Sequence, residues 1–229
     1  MGDKEDVWIV VPAYKEEAVI GLVLQNLMQT GYRVVVVDDG SNDNTAKEVL
    51  KYPVTLLRHC YNLGQGAALQ TGISYALTFS TTKYIVTFDS DGQHQVQDIE
   101  KLLNPLRSGT HEVTLGSRFL EKNGTINLPL SKRIMLHLAL AFSRFSTHLK
   151  LTDTHNGLRA FTTRAASKIS IKQNRMAHAS EILSQISDHK LKYCEIPVTI
   201  IYTDYSKAKG QSLLNSINII WDLVRGNLK

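Results

Sequence analysis

Short β-branched runs alternating with helix-length amphipathic stretches constrain this chain more than any other feature in it. Val7–Val11, Val34–Val37, Val54–Leu57, Tyr84–Phe88 and Val113–Leu115 read as buried strands. Between them Glu17–Thr30, Thr45–Lys51, Ala67–Thr78 and Gln97–Arg107 read as helices, with Gly31, Pro53 and Gly109 at the joins. Strands buried on both sides need a helical layer on each, so the alternation predicts an α/β fold on a mostly parallel sheet. The chain's 229 residues, 43% of them hydrophobic, suffice for a sizeable core.

The second half is patterned differently. Leu130–Leu149 reads as a long helix with Ile134, Leu138, Ala141, Phe142 and Phe145 on one apolar face, interleaved with Lys132, Arg133, Arg144 and Lys150. A loop over Leu151–Arg159 follows, then helices near Thr163–Ser170 and His178–His189, a strand-like Lys192–Tyr202 and an amphipathic Ser212–Val224. We expect a single domain over 1–229, its first half ending near residue 120. The net charge of +5 favours anionic partners: nucleic acid, anionic lipid or phosphorylated substrates. The basic residues are not interleaved with stacking aromatics, which argues against nucleic acid. Cys60 and Cys194 stand far apart without a CxxC pair, so zinc is not indicated; two buried thiols suit a reducing compartment. Asn123-Gly124-Thr125 reads as a turn. The opening Met-Gly-Asp-Lys-Glu-Asp is no signal peptide, and no apolar run approaches the roughly 18–20 residues of a membrane span. The expectation is a cytoplasmic protein, peripheral on the cytoplasmic face of a membrane.

Two acidic pairs stand where apolar runs end. Val34–Val37 leads into Asp38-Asp39-Gly40-Ser41, and Tyr84–Phe88 into Asp89-Ser90-Asp91. In a parallel sheet the carboxyl ends of the strands form the ligand-binding rim. On extended backbone Asp89 and Asp91 point the same way. With Gln93 they offer hard oxygen ligands for Mg²⁺ or Mn²⁺, which commonly complete their coordination with substrate phosphates. An isolated Asp-x-Asp is also an ordinary solvated turn, but its place after a buried strand, opposite a second acidic strand end, favours the metal. Asn62-Leu63-Gly64-Gln65-Gly66 opens a helix, and Leu69 stands where a dinucleotide fingerprint needs its third glycine, which excludes a Rossmann dehydrogenase. That turn either favours an anion at the helix N-terminus or is simply a tight connection. His94 and His155 read as structural.

Taken in order, five motifs carry a resemblance: Pro12-Ala13-Tyr14-Lys15-Glu16-Glu17, Asp38-Asp39-Gly40-Ser41-Asn42-Asp43-Asn44-Thr45, Asn62-Leu63-Gly64-Gln65-Gly66-Ala67, Asp89-Ser90-Asp91-Gly92-Gln93-His94 and Gly116-Ser117-Arg118-Phe119. The chain resembles family 2 glycosyltransferases of the GT-A fold, most of all the dolichyl- or polyprenyl-phosphate sugar synthases. The resemblance implies a nucleotide-sugar donor site at Pro12, Tyr14, Glu16, Asp39, Gly64, Gly66, Asp89, Ser90 and Asp91. It implies a metal at Asp89, Asp91 and Gln93, bridging the donor diphosphate. It also implies an acceptor site in which Arg118 and Arg133 face a phosphate, helped by Lys132, Arg159 and Lys209. Asp153-Thr154-His155-Asn156-Gly157-Leu158-Arg159 is similar to the family's Asp-Thr-x-x-Gly-Phe-Arg element, and Glu181 falls where relatives carry an acidic residue. Lys15 departs from the usual Asn, Gln65 from Lys and Leu158 from Phe. The segment Tyr202–Ser212 matches the basic lid of the synthases only loosely, and the membrane helices of many relatives are absent from this sequence.

What this implies chemically is an inverting transfer of a sugar from a UDP- or GDP-sugar. Asp91, Arg118, Arg133, Asp153 and Glu181 are the expected catalytic groups. A polyprenyl-phosphate acceptor is already anionic and needs little base catalysis, whereas a polysaccharide hydroxyl needs a carboxylate base, Asp153 or Glu181. The helix from Leu130 and the terminal one, with Leu213, Leu214, Ile217, Ile220, Trp221 and Val224, suit a membrane surface, a small integral membrane partner or a homo-oligomer; plain core packing explains them equally. A nucleotidyltransferase needs a basic signature where this chain has Pro-Ala-Tyr-Lys-Glu-Glu. The intact acidic pairs argue against a non-catalytic nucleotide-sugar binding module.

Overall fold

The computed structural model describes residues 4–121, 124–130, 133, 134, 136, 140, 149–174 and 177–205. A 3₁₀ turn at Lys4–Asp6 leads into β1 (Val7–Ala13), α1 (Ile20–Met28), β2 (Arg33–Asp38), α2 (Thr45–Val49), β3 (Thr55–Arg58), α3 (Gln65–Leu77), β4 (Tyr84–Thr87), α4 (Asp98–Arg107) and β5 (Val113–Ser117). Then come β6 (Thr125–Ile126), β7 (Arg159–Thr162), the single turn α5 (Thr163–Ala166), α6 (His178–Asp188), β8 (Tyr193–Pro197) and β9 (Ile200–Ile201).

The main sheet is seven-stranded in the order β3-β2-β1-β4-β7-β5-β8. All its pairings are parallel except those of β7, which runs antiparallel to both β4 and β5. Alternate residues of β1 enter opposite cores. Val7, Ile9 and Val11 pack with α1, α2 and α4 through Leu24, Val49 and Leu102, while Trp8 and Val10 pack with α3, α5 and α6 through Ile73, Ala165 and Ile182. This two-sided burial is why the strands read as unbroken apolar runs. Each fully buried Leu or Ile contributes about 1.5–3 kcal/mol. Gly72 lets α3 approach the sheet, since a Cβ there would fall 2.3 Å from Val10 Cγ1.

The expected α/β architecture is present, with three corrections. Arg159–Thr162, at the end of an expected loop, is a strand inserted between β4 and β5. Lys192–Tyr202 is two strands in different sheets, separated after Pro197, where the Val198 amide donates to Ser117 O (3.1 Å) and the Thr199 amide to Asp98 Oδ2 (2.9 Å). The thiols are not buried: Cys60 is exposed and Cys194 half-buried. In the segment from Leu130, residues 130, 133, 134, 136 and 140 are helical. Ile134, expected on the apolar face, is exposed, whereas Leu136 and Leu140 are buried. Leu138, Ala141, Phe142, Phe145 and the expected Ser212–Val224 helix lie outside the described residues. Among the described residues no helix is long and apolar enough to cross a membrane.

Candidate active site

The carboxyl ends of β2, β1 and β4 lie side by side, Ala13 pairing with Asp38 and Val10 with Thr87. Because β7 is antiparallel, its amino end reaches the same rim. Arg159 pairs with Thr87 on one side and Leu115 on the other. The loop before β7 is thereby delivered to the loop after β4.

Asp38 ends β2, Asp39 follows it, and both are buried. Asp38 Oδ1 accepts from the Ser41 amide (3.0 Å) and Oδ2 lies 3.0 Å from Arg58 Nε. Asp39 accepts from the amides of Leu63 (2.9 Å) and Gly64 (2.7 Å), and its Oδ1 is 2.7 Å from His59 Nδ1. It folds the glycine turn back onto the strand end. Gly64 has φ 105°, a conformation that strains any other residue. The Gly66 amide donates to Asn174 O (2.8 Å), and a Cβ there would fall 2.1 Å from Gln173 O. The amides of Leu63, Gly64 and Gly66 are therefore committed within the protein, and the turn packs as a tight connection. Pro12 is buried in β1. Tyr14 is exposed beyond it, with the Lys15 ammonium 5.4 Å from its ring centroid. Glu16 is buried; its amide donates to Thr45 Oγ1 (2.8 Å), and its Oε2 accepts from the Tyr205 hydroxyl (2.8 Å).

Strand β4 stops at Thr87, and Ser90–Gly92 turn, with Gly92 at φ 75°. The alternation expected to align Asp89 with Asp91 therefore does not reach them, and each carboxylate is set by its own partners. Asp89 accepts from Gln65 Nε2 (2.9 Å) and lies 3.0 Å from Nε2 of the buried His94. Asp91 Oδ1 accepts from the Gln93 amide (3.1 Å), and Ser90 between them is buried. Burial pushes the Asp89 carboxyl up, but the hydrogen bond and charge of His94, with His178 and Arg159 beyond, bring it below the usual range. Burial and the charge of Asp89 push Asp91 up to about 6. One carboxylate is thus already balanced by cations, while for the other burial and the charge of Asp89 outweigh that of His94. Among the described residues no group of three or more His, Cys, Asp or Glu side chains makes a metal cage. Mg²⁺ does not need one, since it usually binds through one or two carboxylates plus substrate phosphates. Asp89, Asp91 and Gln93 fit that donor chemistry.

The loop before β7 is held from several sides. Glu195, on β8, accepts from the amides of Thr152 (2.8 Å) and Asp153 (3.0 Å). Asp153 is buried and accepts from Arg118 Nε (2.6 Å) and from the His155 amide (3.3 Å). Arg118, also buried, donates further to the Tyr202 hydroxyl (2.6 Å) and to His155 O (3.0 Å). Arg159 donates to Asn156 O (3.1 Å) and Thr154 O (3.2 Å), and burial lowers its pKa to about 10 against the charges of Asp89 and Asp153.

The pattern named Glycosyl transferase family 2 matches residues 8–172. The chain is a family 2 glycosyltransferase. It is 41% identical over 229 residues to an uncharacterised protein of Methanocaldococcus jannaschii, covering 97% of this chain and 92% of that one. It is 33% identical over 245 residues to the UDP-N-acetylglucosamine–dolichyl-phosphate N-acetylglucosaminyltransferase of Methanococcus voltae, covering 98% and 96%. Its fold is similar to that of glucosyl-3-phosphoglycerate synthase from Mycobacterium tuberculosis, crystallised with Mn²⁺, UDP and glucosyl-3-phosphoglycerate. There the TM-score is 0.73 at 15% identity, over 96% of this chain and 79% of that one. The fold is accordingly GT-A.

In this glycosyltransferase several expected acceptor and catalytic residues have other duties. Arg118 and Asp153 form a buried ion pair, so neither is a free phosphate clamp or a free base. Arg159 lies buried as a counter-charge to Asp89 and Asp153. Glu181 accepts from the amides of Lys172 (3.0 Å) and Gln173 (2.8 Å), fastening the segment whose Asn174 carbonyl receives Gly66. Arg133 is exposed, while Lys132 and Lys209 lie outside the described residues. Sequence reasoning missed His94 and Glu195. Their only signals were a place three residues after Asp91 and a lone acid in an apolar strand.

Proposed function

We propose that this glycosyltransferase moves a sugar, with inversion, from a UDP- or GDP-sugar to a polyprenyl phosphate. The observation that carries the donor half is the Asp89–Asp91 pair at the rim, where burial and the charge of Asp89 make the ionised Asp91 unfavourable without a further cation. A divalent cation held by Asp89, Asp91 and Gln93 would supply Lewis-acid neutralisation of the departing nucleoside diphosphate. The chain's own residues prepare that place. Gln65 and His94 orient Asp89, and we assign the nucleoside to Pro12, Tyr14, Glu16 and Asp39. Asp39 Oδ1 is taken by the Leu63 amide and His59, while Oδ2 keeps a lone pair beyond the one on the Gly64 amide.

The acceptor half rests on two supports. The M. voltae relative is named for dolichyl phosphate. Moreover, both carboxylates that a hydroxyl acceptor would have used as base are committed: Asp153 to Arg118, and Glu181 to backbone amides. A lipid phosphate brings its own charge to the anomeric carbon and needs no such base. Exposed Arg133, flanked by exposed Leu130 and Ile134 one helical turn apart, suits a phosphate at a membrane surface.

The test pairs binding with transfer. UDP- or GDP-sugars with Mn²⁺ should raise the melting temperature, and Asp91→Ala should abolish the shift. Radiolabelled sugar should then appear in an organic extract when polyprenyl phosphate is supplied. Label recovered only in water-soluble glycan would replace the lipid acceptor with a hydroxyl, and no metal-dependent shift with either nucleotide would end the donor assignment.

A further inference from the structure

We propose that Gly157 is a positioning residue for Asp89: the bare backbone of the loop before β7 is the wall against which that carboxylate is set. The inference rests on the reading above in which Asp89 helps hold the divalent cation. A Cβ on Gly157 would have three nearest neighbours, all in the Asp89 carboxyl: Oδ2 at 2.1 Å, Cγ at 2.5 Å and Oδ1 at 2.5 Å. No side chain fits there while Asp89 keeps its place. The need is for space alone, because Gly157 is not among the positive-φ glycines, unlike Gly64 and Gly92.

The loop has no room to retreat. Thr87 Oγ1 donates to Gly157 O (2.7 Å), and the Leu158 amide donates to Asn156 Oδ1 (3.0 Å). Leu158 O accepts from the Gly116 amide (2.9 Å), and Arg159 then enters a strand paired on both edges. Asp89 is the softer partner, fixed by side-chain bonds from Gln65 and His94. An added methyl therefore turns the carboxylate out of its bonds and leaves the sheet intact. Substitution at Gly66, Gly116 or Gly124 would instead meet backbone atoms of Gln173, Leu158 or Arg118. The loop before β7 and the Asp89 carboxylate thus form one unit, and a shift in either moves the other.

The experiment uses the full chain as wild type, Gly157→Ala, Asp89→Ala and the double variant. Calorimetric titration reads Mn²⁺-dependent binding of UDP and GDP, and urea midpoints read stability. Gly157→Ala should weaken Mn²⁺-dependent binding by about 10–100-fold. Adding Gly157→Ala to Asp89→Ala should cost no further stability, since the shortened side chain leaves the methyl room. If Gly157→Ala alone fails to fold, recovery of folding in the double variant supports the contact with Asp89. Unchanged binding in Gly157→Ala overturns the proposal, as does an equal loss of stability in both backgrounds. Absence of Mn²⁺-dependent binding in the wild type instead removes the donor-site reading, and the proposal falls with it.

Discussion

Lys15 adopts φ 55°, in the left-handed region where residues with a Cβ are strained and Asn is favoured among them. Family 2 enzymes usually carry Asn here, so the departure noted in the sequence falls on a strained turn. The turn persists because the Lys15 amide donates to Ser41 Oγ (2.9 Å) and the neighbouring Glu16 amide to Thr45 Oγ1 (2.8 Å). Lys15→Asn keeps both backbone bonds and should stabilise the protein by about 1 kcal/mol, read as a higher urea midpoint. An unchanged or lower midpoint would mean that the lysine side chain offsets the strain. At this scale the sequence discloses residues whose setting is local. Asp39, Asp89 and Asp91 were legible because each follows an apolar strand. Arg118, Asp153, Arg159 and Glu181 were legible as charges but not as roles, since their partners lie far along the chain or in backbone amides that no motif displays. Arg118 meets Tyr202 across 84 positions.

Among the elements, the parallel βα units were readable from their own residues, because burial on both faces leaves uninterrupted apolar runs. Strand β7 was not. Its four residues, Arg-Ala-Phe-Thr, open with a buried cation, and it is a strand because β4 and β5 pair with it on both edges. The loop it anchors depends on the Arg118–Asp153 pair and on Glu195. Arg118→Ala would leave Asp153 buried without its cation, and breaking such a pair costs about 3–5 kcal/mol. We expect that loss in urea unfolding, with cooperativity retained. A variant that keeps full stability but loses transfer activity would return Arg118 to the acceptor phosphate. Arg133→Ala, at an exposed helical site, should leave the midpoint within about 0.5 kcal/mol while weakening use of a phosphorylated acceptor, read as a higher KM.

Across the whole molecule, the shifted titratable groups fall into two sets with opposite proton demands. Asp43, Asp89 and Glu100 lie below the ordinary carboxylate range, and burial holds His155 at about 4 against an ordinary 6.5. For His155 the unfolded chain takes up a proton between about pH 6.5 and 4 that the folded one refuses, so stability falls as the solution is acidified through that window. Asp91 has the opposite sign. Its folded carboxyl titrates at about 6 against 3.8, so the folded chain binds the extra proton and stability falls as pH rises from about 4 to 6. Glu195, raised by burial, acts in the same direction as Asp91. Asp91 therefore masks part of the acid loss, and at neutral pH it is a destabilising charge. Asp91→Asn should raise metal-free stability at pH 7 by about 1 kcal/mol, discounted for its partial exposure. It should also steepen the decline from pH 6 to 4. Urea midpoints from pH 4 to 8 in EDTA check both, and a lower midpoint at pH 7 or an unchanged slope would contradict the charge balance at the rim. The same variant should lose Mn²⁺-dependent nucleotide binding. Stability and function would then move in opposite directions on one side chain, as expected where a fold tolerates unfavourable charge to keep a cation site.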